Sequence, residues 1–386
     1  MKNILFFLCM MVSIGVFSQQ EFDRTISHDG LIREYHLYIP AIYHDNVAVP
    51  LLFNLHGLGS NNLQQASYAY FNDIADTANF IICLPNGSYV DSVMRFWNAG
   101  FSSYEVDDVG FLMALVDTLY KQYNIDPTRV YFTGMSNGGF MSHTMACRCA
   151  DKIAAIASVA GGMAISQYNT CSPSRPIPVM EIHGDADNIV AYDGHVVSYH
   201  GFTIDIVPAD TLIKGWKMRN SCSGTPVVNA LPDINSSDGS TATSYDYSCQ
   251  SGSSLILYKI TGGGHTWPGA WPIASNGNTN KDFDASIEIW KFLRQYRNLQ
   301  SVIGIQDKKN TETVVYPNPC QNSVQINFGN DTGIHYFILS NLDGKTILSG
   351  YAENNEQIMI GDLPAGVYIL TLPGTKAGSH YKILKY

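Results

Sequence analysis

Short apolar runs alternate with longer amphipathic stretches from about residue 33 to residue 298 of this 386-residue chain. The runs VPLLFNLHG, FIICLPNG and RVYFTG are almost continuously apolar, which is typical of strands buried on both faces of a parallel sheet. Stretches between them, such as DDVGFLMALVDTLYKQYN, carry apolar residues at helical spacing. The alternation predicts an α/β fold with a mostly parallel sheet flanked by helices.

The pattern changes beyond about residue 299, where helical periodicity gives way to short strand-like runs. SVQINF, HYFILSN and GVYILTL are such runs, and Asn-Asp, Asp-Gly and Pro-Ala-Gly turn signals separate them from their neighbours. We expect the α/β domain to span residues 19–298, a polar linker residues 299–311, and a small all-β sandwich residues 312–386.

The N-terminus has the features of an export signal. Lys2 precedes an apolar run, and the small residue Ser18 follows it. About 14 apolar residues fall short of the roughly 20 that a membrane-spanning helix needs. We therefore expect residues 1–18 to be cleaved and the mature protein to be exported without integral membrane association.

The net charge of -10 argues against two classes of partner. Nucleic acids and anionic membrane surfaces both require clustered Lys and Arg side chains. A neutral substrate suits this composition better.

Export would place the cysteines in an oxidising compartment, where disulfides can form. Of eight cysteines, Cys9 lies in the export signal, and the odd number that remains implies an unpaired thiol. Cys222 and Cys249 flank a polar, Ser-rich stretch, SSDGSTATSYDYS, of the kind that a disulfide holds in place. We expect these two residues to form a disulfide.

The other cysteines leave alternatives open. Cys171 is expected to pair with Cys147 or with Cys149, and Cys83 lies in an apolar run that favours a buried thiol. The Cys-Arg-Cys spacing is too short for a usual zinc knuckle, so no metal site is expected.

Ser136, in the stretch TGMSNGGF, directly follows an apolar strand and directly precedes a helix. A tight strand-to-helix turn lifts its central hydroxyl above the sheet and needs small neighbours, here Gly134 and Gly138. Ser136 is therefore a candidate nucleophile. The alternative is that it only caps the helix.

A serine nucleophile needs a base and an acid that orients the base. Asp185 and Asp187 follow the strand PVMEIHG, and His265 follows a glycine-rich loop after the last strand of the α/β region. The order Ser, Asp, His is that of α/β-hydrolases. Either Asp could instead form an Asx-turn, and a lone His is often structural.

The stretch NLHGLGS offers a glycine-rich loop after an early strand. Backbone N–H groups of Leu58 and Asn137 are the expected oxyanion donors. His56 is expected to hold this loop by hydrogen bonds rather than to act as a base. This chemistry requires no cofactor.

Tryptophans lie beside these motifs, where large amphipathic rings can line a substrate cleft. Trp97 and Trp267 are the candidate substrate-binding residues, and Trp271 lies in the same loop as Trp267. A packed loop core is the alternative for Trp97. Trp216 and Trp290 have helical spacing and are expected in the core.

The motifs LHGLGS, FWNAG, VDDVGF, GMSNGGFM, HGDADNIVAY and GGGHTWPG resemble those of secreted esterases grouped with polyhydroxybutyrate depolymerases. The same group holds feruloyl and acetylxylan esterases of carbohydrate esterase family 1. The resemblance covers about residues 30–297 and implies Ser136 as nucleophile, His265 as base and Asp187, rather than Asp185, as acid. Many relatives carry a cysteine at the position of Leu58.

The resemblance implies a secreted α/β-hydrolase that cleaves carboxylic esters through an acyl-enzyme. An extracellular polymer is the expected substrate, with feruloyl or acetyl esters of xylan ranked first and polyhydroxybutyrate second. A third hypothesis is an inactive hydrolase fold that serves as a surface binding protein.

The C-terminal motifs VYPNP, SNLDGKTI, LPAGVYIL and KILKY resemble type A sorting domains of the type IX secretion system. This resemblance implies export through the periplasm to the cell surface or the medium, with the domain either cleaved or retained as an anchor. A carbohydrate-binding module is the competing interpretation, although the region has no Trp.

Overall fold

The computed structural model describes residues 19–89, 94–100, 105–199, 202–250, 252–299, 314–328, 333–372 and 379–386. The expected export signal, and all of the expected linker except residue 299, lie outside these residues. The chain divides into two compact units, residues 1–302 and 303–386. Within the described ranges, no helix is both long enough and apolar enough to cross a membrane.

The first unit is built around a ten-stranded mixed sheet in the order β1-β2-β4-β3-β7-β8-β9-β14-β13-β12. The strands of this unit are β1 Gln20–His28, β2 Leu31–Ile39, β3 Val49–Leu55, β4 Ile81–Pro85, β5 Ser88–Tyr89, β6 Arg95–Phe96, β7 Ile125–Met135, β8 Ala155–Val159, β9 Val179–Gly184, β10 His195–Tyr199, β11 Phe202–Ile206, β12 Val227–Ala230, β13 Thr241–Tyr247 and β14 Leu255–Thr261.

The central strands β4, β3, β7, β8, β9 and β14 are parallel, and the outer strands pair antiparallel. Every residue of β3, β4, β8 and β9 is buried, which explains the nearly continuous apolar runs of β3, β4 and β8. The expected mostly parallel sheet is confirmed.

Helices cover both faces of this sheet. On β3, Leu51 and Phe53 belong to one buried cluster and Leu52 to another, because successive strand residues point to opposite faces. Trp216 and Trp290 lie one in each cluster, as expected of core residues. The helices are α1 Asn62–Ala69, α2 Asn72–Ala78, α3 Asp108–Tyr120, α4 Asn137–Arg148, α5 Ile165–Thr170, α6 Ala209–Arg219 and α7 Ala285–Leu293, with a 3₁₀ turn at Ala274–Asn276.

Two local features differ from the pattern in the sequence. The helical run over residues 62–79 is broken because Tyr70 adopts a left-handed conformation, with φ 35°, and ends α1. The polar stretch between Cys222 and Cys249 is not a simple loop, since it contains the antiparallel pair β12 and β13 at the edge of the sheet.

The second unit is all-β, as expected, and consists of two antiparallel sheets that share one buried cluster. The sheets have the orders β15-β16-β19 and β18-β17-β20-β21. The strands are β15 Val314–Tyr316, β16 Ser323–Asn327, β17 His335–Ser340, β18 Thr346–Ala352, β19 Gln357–Met359, β20 Gly366–Leu372 and β21 Ser379–Lys385.

Candidate active site

Ser136 occupies the sharp turn between β7 and α4. Its backbone has φ 55° and ψ -121°, a conformation that strains any residue with a side chain. Its hydroxyl makes no capping hydrogen bond to the helix, and its N–H donates to the carbonyl of Val159 at 2.9 Å. The helix-cap interpretation of Ser136 is therefore wrong.

Two glycines allow this turn to pack against the end of β3. A Cβ atom on Gly138 would lie 2.1 Å from the carbonyl oxygen of Leu55, and one on Gly134 would lie 2.6 Å from the same oxygen. A side chain at either position would displace backbone. The small neighbours expected from the sequence are thus required by close backbone approach.

His265 and Asp187 come together beyond the carboxyl ends of the adjacent parallel strands β14 and β9. Nδ1 of His265 lies 2.8 Å from Oδ2 of Asp187. The other carboxylate oxygen of Asp187 accepts the N–H groups of Ile189 and Val190, each at 2.8 Å. Asn276 holds the His265 backbone through two hydrogen bonds. Both side chains are therefore fixed before any ligand binds.

Asp185 has a different role. Its Oδ1 accepts the N–H of Gly262, and Nζ of Lys259 lies 3.6 Å from its Oδ2. It therefore supports the loop that leads to His265, whereas Asp187 contacts the imidazole itself.

The contacts of Asp187 favour its ionised form. Burial raises the pKa of this carboxyl, but the hydrogen bond from His265 and the charges of His265 and His183 outweigh burial and hold the pKa below 3.8. Asp187 is therefore an anion that can orient the imidazole.

A cleft of about 930 Å³ opens over these residues. Ser136 and His265 both line it, together with Gly57 and Leu58 of the early glycine-rich loop. Asp187 is buried behind His265. The structure thus gathers the nucleophile and base candidates at one surface, although they are far apart in sequence.

The glycine-rich loop and the start of α4, which carry the expected oxyanion donors, both adjoin Ser136. A Cβ on Gly57 would be 3.4 Å from Cβ of Ser136, so the glycine-rich loop touches the nucleophile candidate. Leu58 is the next residue along this loop. Asn137 is the first residue of α4, and the N–H groups of a helix's first turn have no partner within the helix.

Trp97 is fully buried and does not line the cleft, so its expected substrate contact is wrong. Its indole N–H donates to the carbonyl of His56 at 3.0 Å, and its backbone bonds in both directions with the Asn137 side chain. Trp97 therefore ties the glycine-rich loop to the start of α4.

His56 holds this loop, as expected. Its Nδ1 lies 2.7 Å from the Gly57 carbonyl, and its Nε2 accepts the N–H of Gly87 at 2.9 Å. Burial lowers the pKa of His56 to about 4, so the ring is neutral at pH 7.

Trp267 is buried as well, and its indole N–H donates to the hydroxyl of Ser286 at 3.0 Å. Its expected substrate contact is also wrong. Trp271 is the tryptophan that lines the cleft, where it is 51% exposed and meets the ring of Tyr68 at 5.1 Å.

The structure contains the disulfide between Cys222 and Cys249 that the sequence predicted, and it pairs Cys171 with Cys147. Cys83 and Cys149 are buried free thiols. Among the described residues, no cluster of His, Cys, Asp or Glu could hold a metal ion.

Comparisons with known proteins find one family match within each unit. Residues 33–212 match the family described as esterase PHB depolymerase, and residues 314–385 match the secretion system C-terminal sorting domain. Feruloyl esterase B of Piromyces equi is 31% identical over 58% of this chain and 41% of its own length. A bifunctional acetylxylan esterase/xylanase of Neocallimastix patriciarum is 30% identical over 42% of this chain and 22% of its own length.

The chain therefore spans less than half of either relative. Among solved structures, an acetyl xylan esterase from Aspergillus awamori has a TM-score of 0.49 at 15% identity, covering 71% of this chain and 99% of its own. The chain therefore contains a domain that matches the esterase PHB depolymerase family and a C-terminal domain that matches the secretion sorting family.

Proposed function

We propose that the chain hydrolyses carboxylic esters with Ser136 as nucleophile, His265 as base and Asp187 as the orienting acid. The observation that carries this proposal is the 2.8 Å contact between His265 and Asp187 behind a cleft that Ser136 also lines. The family match and the names of the relatives support the same reaction class.

The reaction follows from these positions. Asp187 binds Nδ1 of His265, which leaves Nε2 to take the proton of Ser136 as its oxygen attacks the ester carbonyl. Backbone N–H groups of Leu58 and Asn137 stabilise the oxyanion. His265 then protonates the departing alcohol, and water cleaves the acyl-enzyme by the reverse proton route.

The proposed substrate is a feruloyl or acetyl ester on a plant polysaccharide such as xylan. Two relatives are named for feruloyl and acetylxylan ester cleavage. Trp271 offers an exposed aromatic surface in the cleft beside Tyr68, which suits a sugar ring or an aromatic acyl group.

A short polyester such as polyhydroxybutyrate is the second candidate substrate. The family description names this polymer. The cleft lining also favours it, because several apolar side chains could contact an aliphatic chain: Leu58, Met135, Ile189, Val196 and Ile273.

The sorting domain supports a polymer substrate outside the cell. We propose that type IX secretion machinery recognises the C-terminal unit and carries the chain from the periplasm to the cell surface or the medium. A large polysaccharide or polyester is accessible there, whereas a cytosolic metabolite is not.

Product release tests the proposal. The purified chain would be incubated with feruloylated arabinoxylan, acetylated xylan and polyhydroxybutyrate, with Ser136→Ala as the blank. Free ferulate or acetate is the expected result, and release of 3-hydroxybutyrate alone would favour the second substrate. No product, together with no labelling of Ser136 by a fluorophosphonate probe, would overturn the proposed activity and favour a binding protein.

A further inference from the structure

A row of buried polar side chains runs behind Asp187, away from the cleft. His143 of α4 and Glu181 and His183 of β9 form it, and each is at most 2% exposed. Nε2 of His143 lies 2.9 Å from Oε2 of Glu181, and Nδ1 of His183 lies 3.2 Å from Oε1. Nε2 of His183 lies 3.7 Å from Oδ2 of Asp187.

The partners of His143 fix its charge. The indole N–H of Trp216 points to Nδ1 of His143 at 3.2 Å, and an indole nitrogen can only donate. Nδ1 must therefore accept, so the ring hydrogen is on Nε2 and donates to Glu181. His143 is thus a neutral donor.

The partners of His183 lead to the opposite result. Its Nε2 lies 2.8 Å from the carbonyl oxygen of Val190, which can only accept, so Nε2 carries a hydrogen. Its Nδ1 faces Glu181, whose other oxygen already accepts from His143. An ionised Glu181 requires a hydrogen on Nδ1 too, which makes His183 an imidazolium.

Electrostatics agree with this assignment. Burial opposes the charge on both groups, yet hydrogen bonds from His143 and His183 lower the pKa of Glu181 below 4.5, and the hydrogen bond and charge of Glu181 raise the pKa of His183 above 6.5. Asp187 adds to the shift of His183. A buried charge pair with hydrogen bonds on both partners is the arrangement that compensates for lost hydration.

We propose that His183 is a positively charged positioning residue, which holds the acid of the catalytic triad ionised and in place. It acts through two contacts. Its charge lies beside Oδ2 of Asp187, and its Nε2–H holds the carbonyl of Val190, whose own N–H donates to Oδ1 of Asp187 at 2.8 Å. This inference rests on the proposed function of Asp187 and His265.

Other groups near His183 do not cancel this effect. The ring of Tyr192 meets that of His183 edge-on at 5.7 Å, and Lys259, the register partner of His183 on β14, directs Nζ to the Tyr192 ring and to Asp185. Within the Glu181–His183 pair, the cation is the member that contacts Asp187. The pair therefore presents its positive charge toward Asp187 and, beyond it, toward His265.

The test replaces the pair by neutral amides. The double variant Glu181→Gln/His183→Gln removes both charges of the pair together, so neither is left buried without its partner, and we expect the fold to be retained. We expect the acidic limb of the kcat/KM profile to move to higher pH by about half a unit to one unit, and kcat to fall more than KM rises. In the matched control His143→Gln, an amide can still donate to Glu181 and accept from Trp216, so the acidic limb stays in place.

A second measurement does not depend on turnover. In ¹⁵N-histidine NMR of the wild-type chain, both ring nitrogens of His183 should carry protons at about pH 7, above the ordinary histidine pKa. A His183 ring with one unprotonated nitrogen at about pH 7 would overturn the inference. So would a folded double variant whose kcat and whose acidic limb of the kcat/KM profile are both unchanged. A wild-type chain without esterase activity would overturn the proposed function instead, and the NMR result would still decide the charge of His183.

Discussion

The strained backbone of Ser136 predicts different effects for two substitutions that both remove its hydroxyl. Ser136→Ala keeps a side chain at φ 55°, whereas Ser136→Gly removes the steric conflict. We expect both variants to lose about 10⁴-fold or more in kcat, because neither has a nucleophile. The glycine variant should be the more stable of the two, with a free energy of unfolding about 1 kcal/mol larger than that of the alanine variant.

Ester turnover and urea unfolding of the two variants measure these effects. Near-normal turnover by Ser136→Ala would contradict the assignment of Ser136 as the nucleophile. Equal stability of the two variants would mean that the turn does not strain the side chain.

The Glu181–His183 pair should stabilise the fold most between pH 4.5 and pH 6.5. Folding lowers the pKa of Glu181 below 4.5 and raises the pKa of His183 above 6.5, so both groups are charged throughout this range. The contribution of Glu181 is present above its unfolded pKa and is lost as pH falls through its lowered folded pKa. The contribution of His183 is present below its unfolded pKa and is lost as pH rises through its raised folded pKa.

Urea unfolding of the wild type and of Glu181→Gln/His183→Gln across the pH range checks this. The difference in unfolding free energy should be largest inside the window and should shrink on both sides. A difference independent of pH would show that the pair does not change protonation on unfolding.

The sequence predicted which residues the strand order brings together. It did not predict which loop side chains point into the cleft. Ser136, Asp187 and His265 each follow a strand of one parallel sheet, so their sequence order already predicts that they converge. Trp97 and Trp267 adjoin the same motifs, but a loop has no fixed periodicity that says which side chains face inward. Both are buried, and the neighbouring Trp271 lines the cleft instead.

At the scale of the element, the junction between β7 and α4 depends on Gly138. A methyl group there would meet the Leu55 carbonyl at 2.1 Å, a contact that neither backbone can relieve without moving. We expect Gly138→Ala to lose more than about 2 kcal/mol of unfolding free energy and most of its esterase activity.

Thermal unfolding and ester turnover measure this effect. Gly361→Ala is the matched control, since its added methyl group would be 3.5 Å from the nearest atom, an ordinary contact. If Gly138→Ala behaved like Gly361→Ala, close approach at the junction would not matter.

Element boundaries were predictable where apolar periodicity marks them. The buried strands β3, β4 and β8 have that mark. The exposed strand β12 does not, because a solvated strand at a sheet edge needs no apolar face. The break at Tyr70 was also missed, since a left-handed non-glycine residue has no reliable sequence signal.

At the scale of the whole molecule, each unit has its own buried cluster of apolar side chains. We therefore expect deletion of residues 312–386 to leave ester turnover intact and to retain the enzyme in the periplasm. Activity assays on periplasmic and culture-medium fractions distinguish the outcomes. Normal release of the truncated chain into the medium would contradict a sorting role for the C-terminal unit.

The strand order of the large sheet also limits when activity can begin. His265 follows β14, the last described strand of this unit, and the pairing of β14 with β9 brings His265 to Asp187. Contacts between segments so distant in sequence form late, because closing a long loop is slow. We therefore expect a chain that is still being synthesised to carry Ser136 without the proposed base His265, and to cleave no ester until β14 has paired with β9.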